Sequence, residues 1–225
     1  MRTIETKVYA YSELSEKAQK VAKNWLCEDV LGNDDDCWND PAIDTFKQVS
    51  AALGIELFDD EKTGRESVHY RLNFMSDDGA FFTGDYSYKA GSVGAIQKFN
   101  DGELTRIAKD LYSLQCQFGR ELTAEIRVVD VGTIITMGDD EYENLIMKVK
   151  GQSTFGKSVT VHSGRSYGNV ESALKVLMGD LANWLFEQIR EANHYYYSEE
   201  NTVILMELNG YEFLADGRVF WEGSQ

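Results

Sequence analysis

The chain is 225 residues long, 43% hydrophobic and 12% aromatic, which is enough to bury a sizeable core and too apolar for a disordered acidic tail. Its 38 acidic side chains outnumber 22 basic ones, and the net charge of −16 disfavours direct contact with nucleic-acid phosphates or an anionic membrane surface. Three scattered cysteines, Cys27, Cys37 and Cys116, make no disulfide framework and suit a reducing compartment.

The opening "MRTIETKVYAYSEL" has no apolar h-region or cleavage site, and no run in the chain approaches a membrane span. A cytoplasmic protein is therefore expected. "TIETKVYAY" (3–11), rich in β-branched and aromatic residues, predicts a strand. Ser15 then serves as the N-cap of a helix whose buried face is Ala18, Val21, Ala22, Trp25 and Leu26. After the acidic "CEDVLGNDDDCWND", Asp40-Pro41 starts a second helix, lined by Ile43, Phe46, Val49 and Leu53 and closed by Gly54.

The period then falls to two. Val68, Tyr70, Leu72 and Phe74 form one face of a strand, and Ala80, Phe82, Tyr86 and Tyr88 form one face of the next. Between them, Ser76-Asp77-Asp78-Gly79 reads as a hairpin loop. "SVGAIQKF" predicts a short helix, and "DGELTRIAKDLYSLQCQF" a full one striped by Leu104, Ile107, Ala108, Leu111 and Leu114. Leu122, Ala124, Ile126 and Val128 mark another strand; "GTIITM", "NLIMKVKG" and "KSVTVHS" extend the set. Residues 170–192 form the longest predicted helix. In the tail, Asn209-Gly210 fits a helix C-cap after "EENTVILMEL", with a strand through "VILMEL" as the alternative, and Asp216-Gly217 fits a tight hairpin turn. The pattern describes an α+β protein, antiparallel meander and hairpin strands with about five helices packed against them. A single domain over 1–225 is expected, with 119–122 as the place for a weak subdivision.

Carboxylates cluster at Asp34-Asp35-Asp36, Asp59-Asp60-Glu61, Asp77-Asp78 and Asp139-Asp140-Glu141. A calcium loop needs ligands at alternating positions, a central glycine and a closing bidentate glutamate. "NDDDCWND" lacks the glycine and the glutamate and the others are too short, so all four read as solvated turns. Isolated histidines (His69, His162, His194) and widely spaced cysteines offer no zinc pattern, and Cys116 falls in a helical stripe as a buried thiol. No phosphate-binding glycine motif is present. The most site-like loop is "HSGRSYGN" (162–169), where His162, Ser163, Arg165 and Tyr167 precede a helix whose first amides could hold an anion. In "NHYYYSEE" (193–200), Tyr195, Tyr196 and Tyr197 beside acids suit a protein interface.

Taken in order, "ELSEKAQKVAKNWL", "DDGAFFTGDYSY" with "ELTRIAKDL", and "LNGYEFLADGRVF" resemble a family of proteins encoded by tailed bacteriophages and prophages, some labelled loosely as antitoxin-like. The relatives tend to carry a glutamine-glycine pair where this chain has Ser76-Asp77, which argues against a fixed site there. The resemblance brings no catalytic residues with it. It implies a factor that binds and disables a host protein.

The expectation is thus a non-enzymatic, acidic protein-binding factor, without cofactor or metal, that inhibits a host defence component or toxin. Asp34, Asp35, Asp36, Asp77, Asp78, Asp139, Asp140 and Tyr195, Tyr196, Tyr197 are the expected contacts. Neither nucleic acid nor membrane is an expected direct partner, and self-association is left open. Two alternatives stand beside this reading: a DNA mimic that inhibits a nucleic-acid-binding enzyme, and a small-molecule or nucleotide binder or hydrolase using His162, Ser163 and Arg165.

Overall fold

The computed structural model describes residues 5–33, 37–58, 67–72, 78–118, 122–130, 155–161 and 168–221. The helices in chain order are α1 (Glu16–Trp25), α2 (Asp40–Leu53), α3 (Ser92–Ile96), α4 (Gly102–Phe118), α5 (Gly168–Tyr196) and α6 (Glu199–Leu208). The strands are β1 (Ile55–Leu57), β2 (Val68–Arg71), β3 (Gly79–Ser87), β4 (Thr123–Asp130) and β5 (Phe155–Val161). The fold is α+β with an antiparallel sheet, as the sequence predicts. Two compact units divide the chain: Pro41–Arg190, and a smaller one built from both ends, Met1–Asp40 with Glu191–Gln225. Residues 119–122 lie inside the larger unit.

In the larger unit, Pro41 occupies the first turn of α2, where its missing N–H has no intrahelical acceptor to lose. Phe46, Val49 and Leu53 are buried at helical spacing. Lys89 Nζ donates to the Ala51 carbonyl at 2.7 Å, placing a cation on the last turn, where helix carbonyls lack partners. From Gly54 the chain passes directly into β1, and Ser87 N–H donates back to the Gly54 carbonyl.

The sheet runs β1-β3-β4-β5, with β2 sharing an edge of β3 with β1. Register pairs Ile55 with Tyr86, Val68 with Phe82, Ile126 with Gly84 and Ala124 with Val161. At Thr83, β3 changes partner: its N–H donates to Ser67 and its carbonyl accepts from Phe58. The change requires β1 to press closely on the next residue, Gly84, where a Cβ would lie 2.5 Å from the Glu56 carbonyl oxygen. That position is closed to any side chain.

The predicted alternation of β3 holds only at its far end, Gly84 to Ser87; Gly79 through Phe82 are all buried, because both faces of the sheet are covered there. Phe82 meets Phe46 of α2 at 5.1 Å between ring centroids. On β4, Leu122, Ala124, Ile126 and Val128 are buried as predicted. The β2–β3 pairing confirms the hairpin but corrects its loop: Gly79 belongs to β3 and pairs with Arg71, so the connection is 72–78 rather than Ser76–Gly79. Residues 73–77 lie outside the described residues, as do "GTIITM" and "NLIMKVKG".

Asp101 caps α4 by accepting the Leu104 N–H at 2.9 Å, and its second carboxylate oxygen accepts the Trp184 indole N–H of α5 at 2.9 Å. Arg106 bridges the same two helices, reaching Glu103 and Asp110 on α4 and Asp180 on α5. The buried stripe of α4 is Leu104, Ile107, Ala108 and Leu111, continued by Gln115 rather than the predicted Leu114, which is half-buried. Gln115 donates to the hydroxyl of buried Tyr86 at 2.7 Å.

The smaller unit has little sheet. The predicted strand 3–11 is corrected over its described residues 5–11: Tyr9 makes one antiparallel bridge, to Phe213, and the chain then turns at Tyr11–Glu13, where the Glu13 carboxylate accepts the Ala10 N–H. This turn sends Tyr11 and Leu14 into the core in place of a continued ladder. Ser15 caps α1 as predicted, accepting from Ala18 N–H. Ala18, Ala22 and Leu26 are buried, but Val21 is exposed. The buried face follows i, i+4, i+8 through those three residues, and Val21 falls to one side of it; on that face the hairpin tip at Gly217 lies so near α1 that a Cβ there would collide with the Ala18 carbonyl oxygen. Gly217 also has φ +89, a left-handed value that completes a three-residue hairpin loop after Ala215-Asp216.

The alternatives for 199–208 resolve to a helix, α6, capped by Ser198. It ends in a Schellman arrangement, with Gly210 N–H donating to Glu207 and Tyr211 N–H to Met206. Trp25 sits at the centre of an aromatic core, edge-on to Tyr211 at 5.1 Å, Trp221 at 6.1 Å and Phe213 at 6.2 Å.

Candidate interaction surface

Charge is divided unequally between the units. The 75 residues of Met1–Asp40 and Glu191–Gln225 hold 16 acidic and 6 basic side chains, a net −10; the 150 residues of Pro41–Arg190 hold 22 and 16, a net −6. In the smaller unit the C-terminal segment has seven acids against Arg218 alone. Arg218 is itself committed: Asp216 accepts its backbone N–H at 3.1 Å and its Nε at 2.8 Å, which holds the Asp216 carboxyl below the usual range.

The same unit exposes apolar side chains. Tyr195, Tyr197, Ile204, Leu208 and Trp221 are among its exposed large hydrophobic residues, with Leu208 at 78%. Ile204 and Leu208 are one turn apart on the outer side of α6, opposite buried Thr202 and Met206. Tyr196 differs from its neighbours. It packs against the core, lies 6.3 Å from Trp38 and 5.1 Å from Tyr197, and its carbonyl accepts from Asn201. The tyrosine run thus offers two exposed rings braced by a third.

Between the turn at Val8–Glu13 and the end of α6 lies a groove of about 440 Å³. Tyr9, Tyr11, Tyr211 and Met206 supply its apolar surface and Glu13, Glu207 and Glu212 its carboxylates. Tyr11, largely buried, has its phenol pushed up first by burial and then by the charge of Glu199. Nothing in the sequence signalled this groove, because it needs residues about two hundred positions apart to meet.

Of the other predicted contacts, Asp78 is half-buried at the entry to β3. Asp34, Asp35, Asp36, Asp77, Asp139 and Asp140 lie outside the described residues, and so do His162, Ser163, Arg165 and Tyr167. Cys116 is exposed, not buried as its stripe suggested, because the buried face passes through Gln115, one residue away around the helix. Cys27 is half-buried, and burial pushes its thiol up. Among the described residues no three His, Cys, Asp or Glu side chains gather as a metal set, and no helix is long and apolar enough to cross a membrane.

The fold and surface define an α+β protein with a sheet-bearing unit and an acidic, aromatic one. A model of a domain of unknown function, DUF8835, matches residues 38–199, and the chain belongs to that family. The match begins three residues before the larger unit and ends nine beyond it. No curated protein and no solved structure matches the chain.

Proposed function

We propose that the protein is a non-enzymatic binding factor whose smaller unit docks on a basic surface of another protein. The observation that carries this reading is the charge division: 16 acids against 6 bases in 75 residues, on a unit that also exposes Tyr195, Tyr197 and Leu208. A rim of one charge sign around exposed aromatic and aliphatic anchors steers association and supplies contact area at its centre. The sequence resemblance supports a phage-encoded factor acting in the bacterial cytoplasm, with a host defence component or a toxin as target. The same charge division favours a second reading, a DNA mimic that occupies the cleft of a nucleic-acid-binding enzyme.

The test is affinity capture of the full chain from a bacterial lysate with mass spectrometry, run beside a variant with Glu28→Gln, Glu191→Gln and Glu200→Gln, all exposed positions. A partner held by the native chain and lost by the variant is expected. Partners that ignore the substitutions, or none at all, overturn the proposal. Competition of a captured enzyme by duplex DNA separates the DNA mimic from the plain inhibitor.

A further inference from the structure

The groove of about 440 Å³ in the smaller unit has the size of a small-molecule or side-chain pocket. Its charged liners, Glu13, Glu207 and Glu212, are all acidic, and no lysine or arginine among the described residues lines it. Glu13 is engaged, capping Ala10 N–H at 2.9 Å, whereas Glu207 and Glu212 are exposed. The end of α6 forms one wall, and its last turn contains no basic residue. Tyr9 and Tyr211 are half-buried liners, and such rings favour a cation over their faces or an alkyl stem alongside them.

These features together describe a place that is concave and aromatic, with no basic side chain among the described residues lining it. We propose that the groove receives a lysine or arginine side chain presented by the protein partner, its aliphatic stem against the tyrosines and its cationic head among Glu207 and Glu212. The inference rests on the reading of the smaller unit as a docking module and names the contact within it. A second copy of the chain is a poor occupant, because it would bring another net −10 onto the same surface.

The experiment is an amide NMR titration of the full-length protein with the capped peptide Gly-Val-Lys-Val-Gly, beside the same peptide with norleucine in place of lysine. Saturable shifts at Glu207, Gly210, Tyr211 and Glu212 are expected with the lysine peptide and not with norleucine. Glu207→Gln with Glu212→Gln should weaken binding at least tenfold, and the Glu28, Glu191 and Glu200 variant less than twofold. Equal binding of the norleucine peptide, shifts scattered over the unit, or equal loss in both variants overturns the groove assignment. Those outcomes leave lysate capture by the native chain untouched, so failure of the groove is distinct from failure of the docking module.

Discussion

The larger unit is held by a hydrogen-bonded sheet, and the smaller one by rings and turns. In the first, β3 is paired along both edges and its partners are fixed residue by residue, from Val68–Phe82 on one edge to Tyr86–Ala124 on the other. In the second, the N- and C-terminal segments meet through one bridge, Tyr9 with Phe213, and Phe213 bridges Val219 within its own hairpin, beside Trp25. The smaller unit also carries more net charge on half as many residues. A small core under self-repulsion has less burial to offset it. The family match covers the larger unit and reaches into the smaller one as far as residue 199, so it takes in Tyr195 and Tyr197 but not Ile204, Leu208 or Trp221.

The sharpest way to break this comparison is Phe213→Ala. Phe213 is fully buried and joins both bridges, so the loss should be about 3–5 kcal/mol. Gly217→Ala should approach it, because the added methyl meets Ala18 and the residue keeps a left-handed φ. Trp25, Trp38 and Trp221 report on the smaller unit, so urea unfolding followed by tryptophan emission should shift to lower denaturant more than far-UV circular dichroism. Coincident shifts would show that the two units melt as one.

Asp101→Ala addresses the larger unit. It removes both the α4 cap and the acceptor of the Trp184 indole, and should cost about 1–3 kcal/mol. The dichroism transition should move while the emission of the other three tryptophans stays in place.

Salt sharpens the contrast at a smaller scale. Raising ionic strength from about 0.01 M to about 0.15 M shortens the screening length from about 30 Å to about 8 Å. The emission-detected midpoint should rise more than the dichroism-detected one, and an equal rise would remove charge from the comparison.

The smallest effect concerns pH. Hydrogen bonding to Arg106 holds the Glu103 carboxyl below its usual value near 4.5. A depressed folded-state value stabilises the native protein above the usual carboxylate range and loses that contribution as pH falls through the folded value. Glu103→Gln should therefore flatten the acid limb of the dichroism-detected stability slightly, since the pair is exposed and screened.

Local chemistry explains which elements were legible beforehand. Ser15, Asp40-Pro41, Asn209-Gly210 and Asp216-Gly217 punctuate the chain as their side chains and backbone freedom require, and the structure places caps and turns at each. The alternation of β4 is likewise plain, because one of its faces is buried and the other is not. What failed depends on distant partners. Val21 fits the predicted α1 stripe yet is exposed, because the buried face runs through Ala18, Ala22 and Leu26, and residues 5–11 look like a strand but have a ladder partner only at Tyr9. Thr83 changes partners, and Asp101 holds an indole 83 residues away; no periodicity encodes either. The groove at Glu207 and Glu212 was invisible for the same reason. The tyrosine run was visible as composition, but not the division of labour in which Tyr196 is a brace and Tyr195 and Tyr197 face outward.

The discontinuity of the smaller unit has a consequence for how the protein is made. Tyr11 and Leu26 leave the ribosome before Phe213, Tyr211 and Met206, which cover them and come after the 150 residues of the larger unit. At about 5–20 residues per second the wait is many seconds, long compared with the formation of a helix or hairpin. The larger unit has its whole sequence available first, and through that interval the nascent N-terminal segment displays an aromatic, unpaired surface. Tyr11 and Trp25 stay open until residues 206–221 have been made and can pack over them.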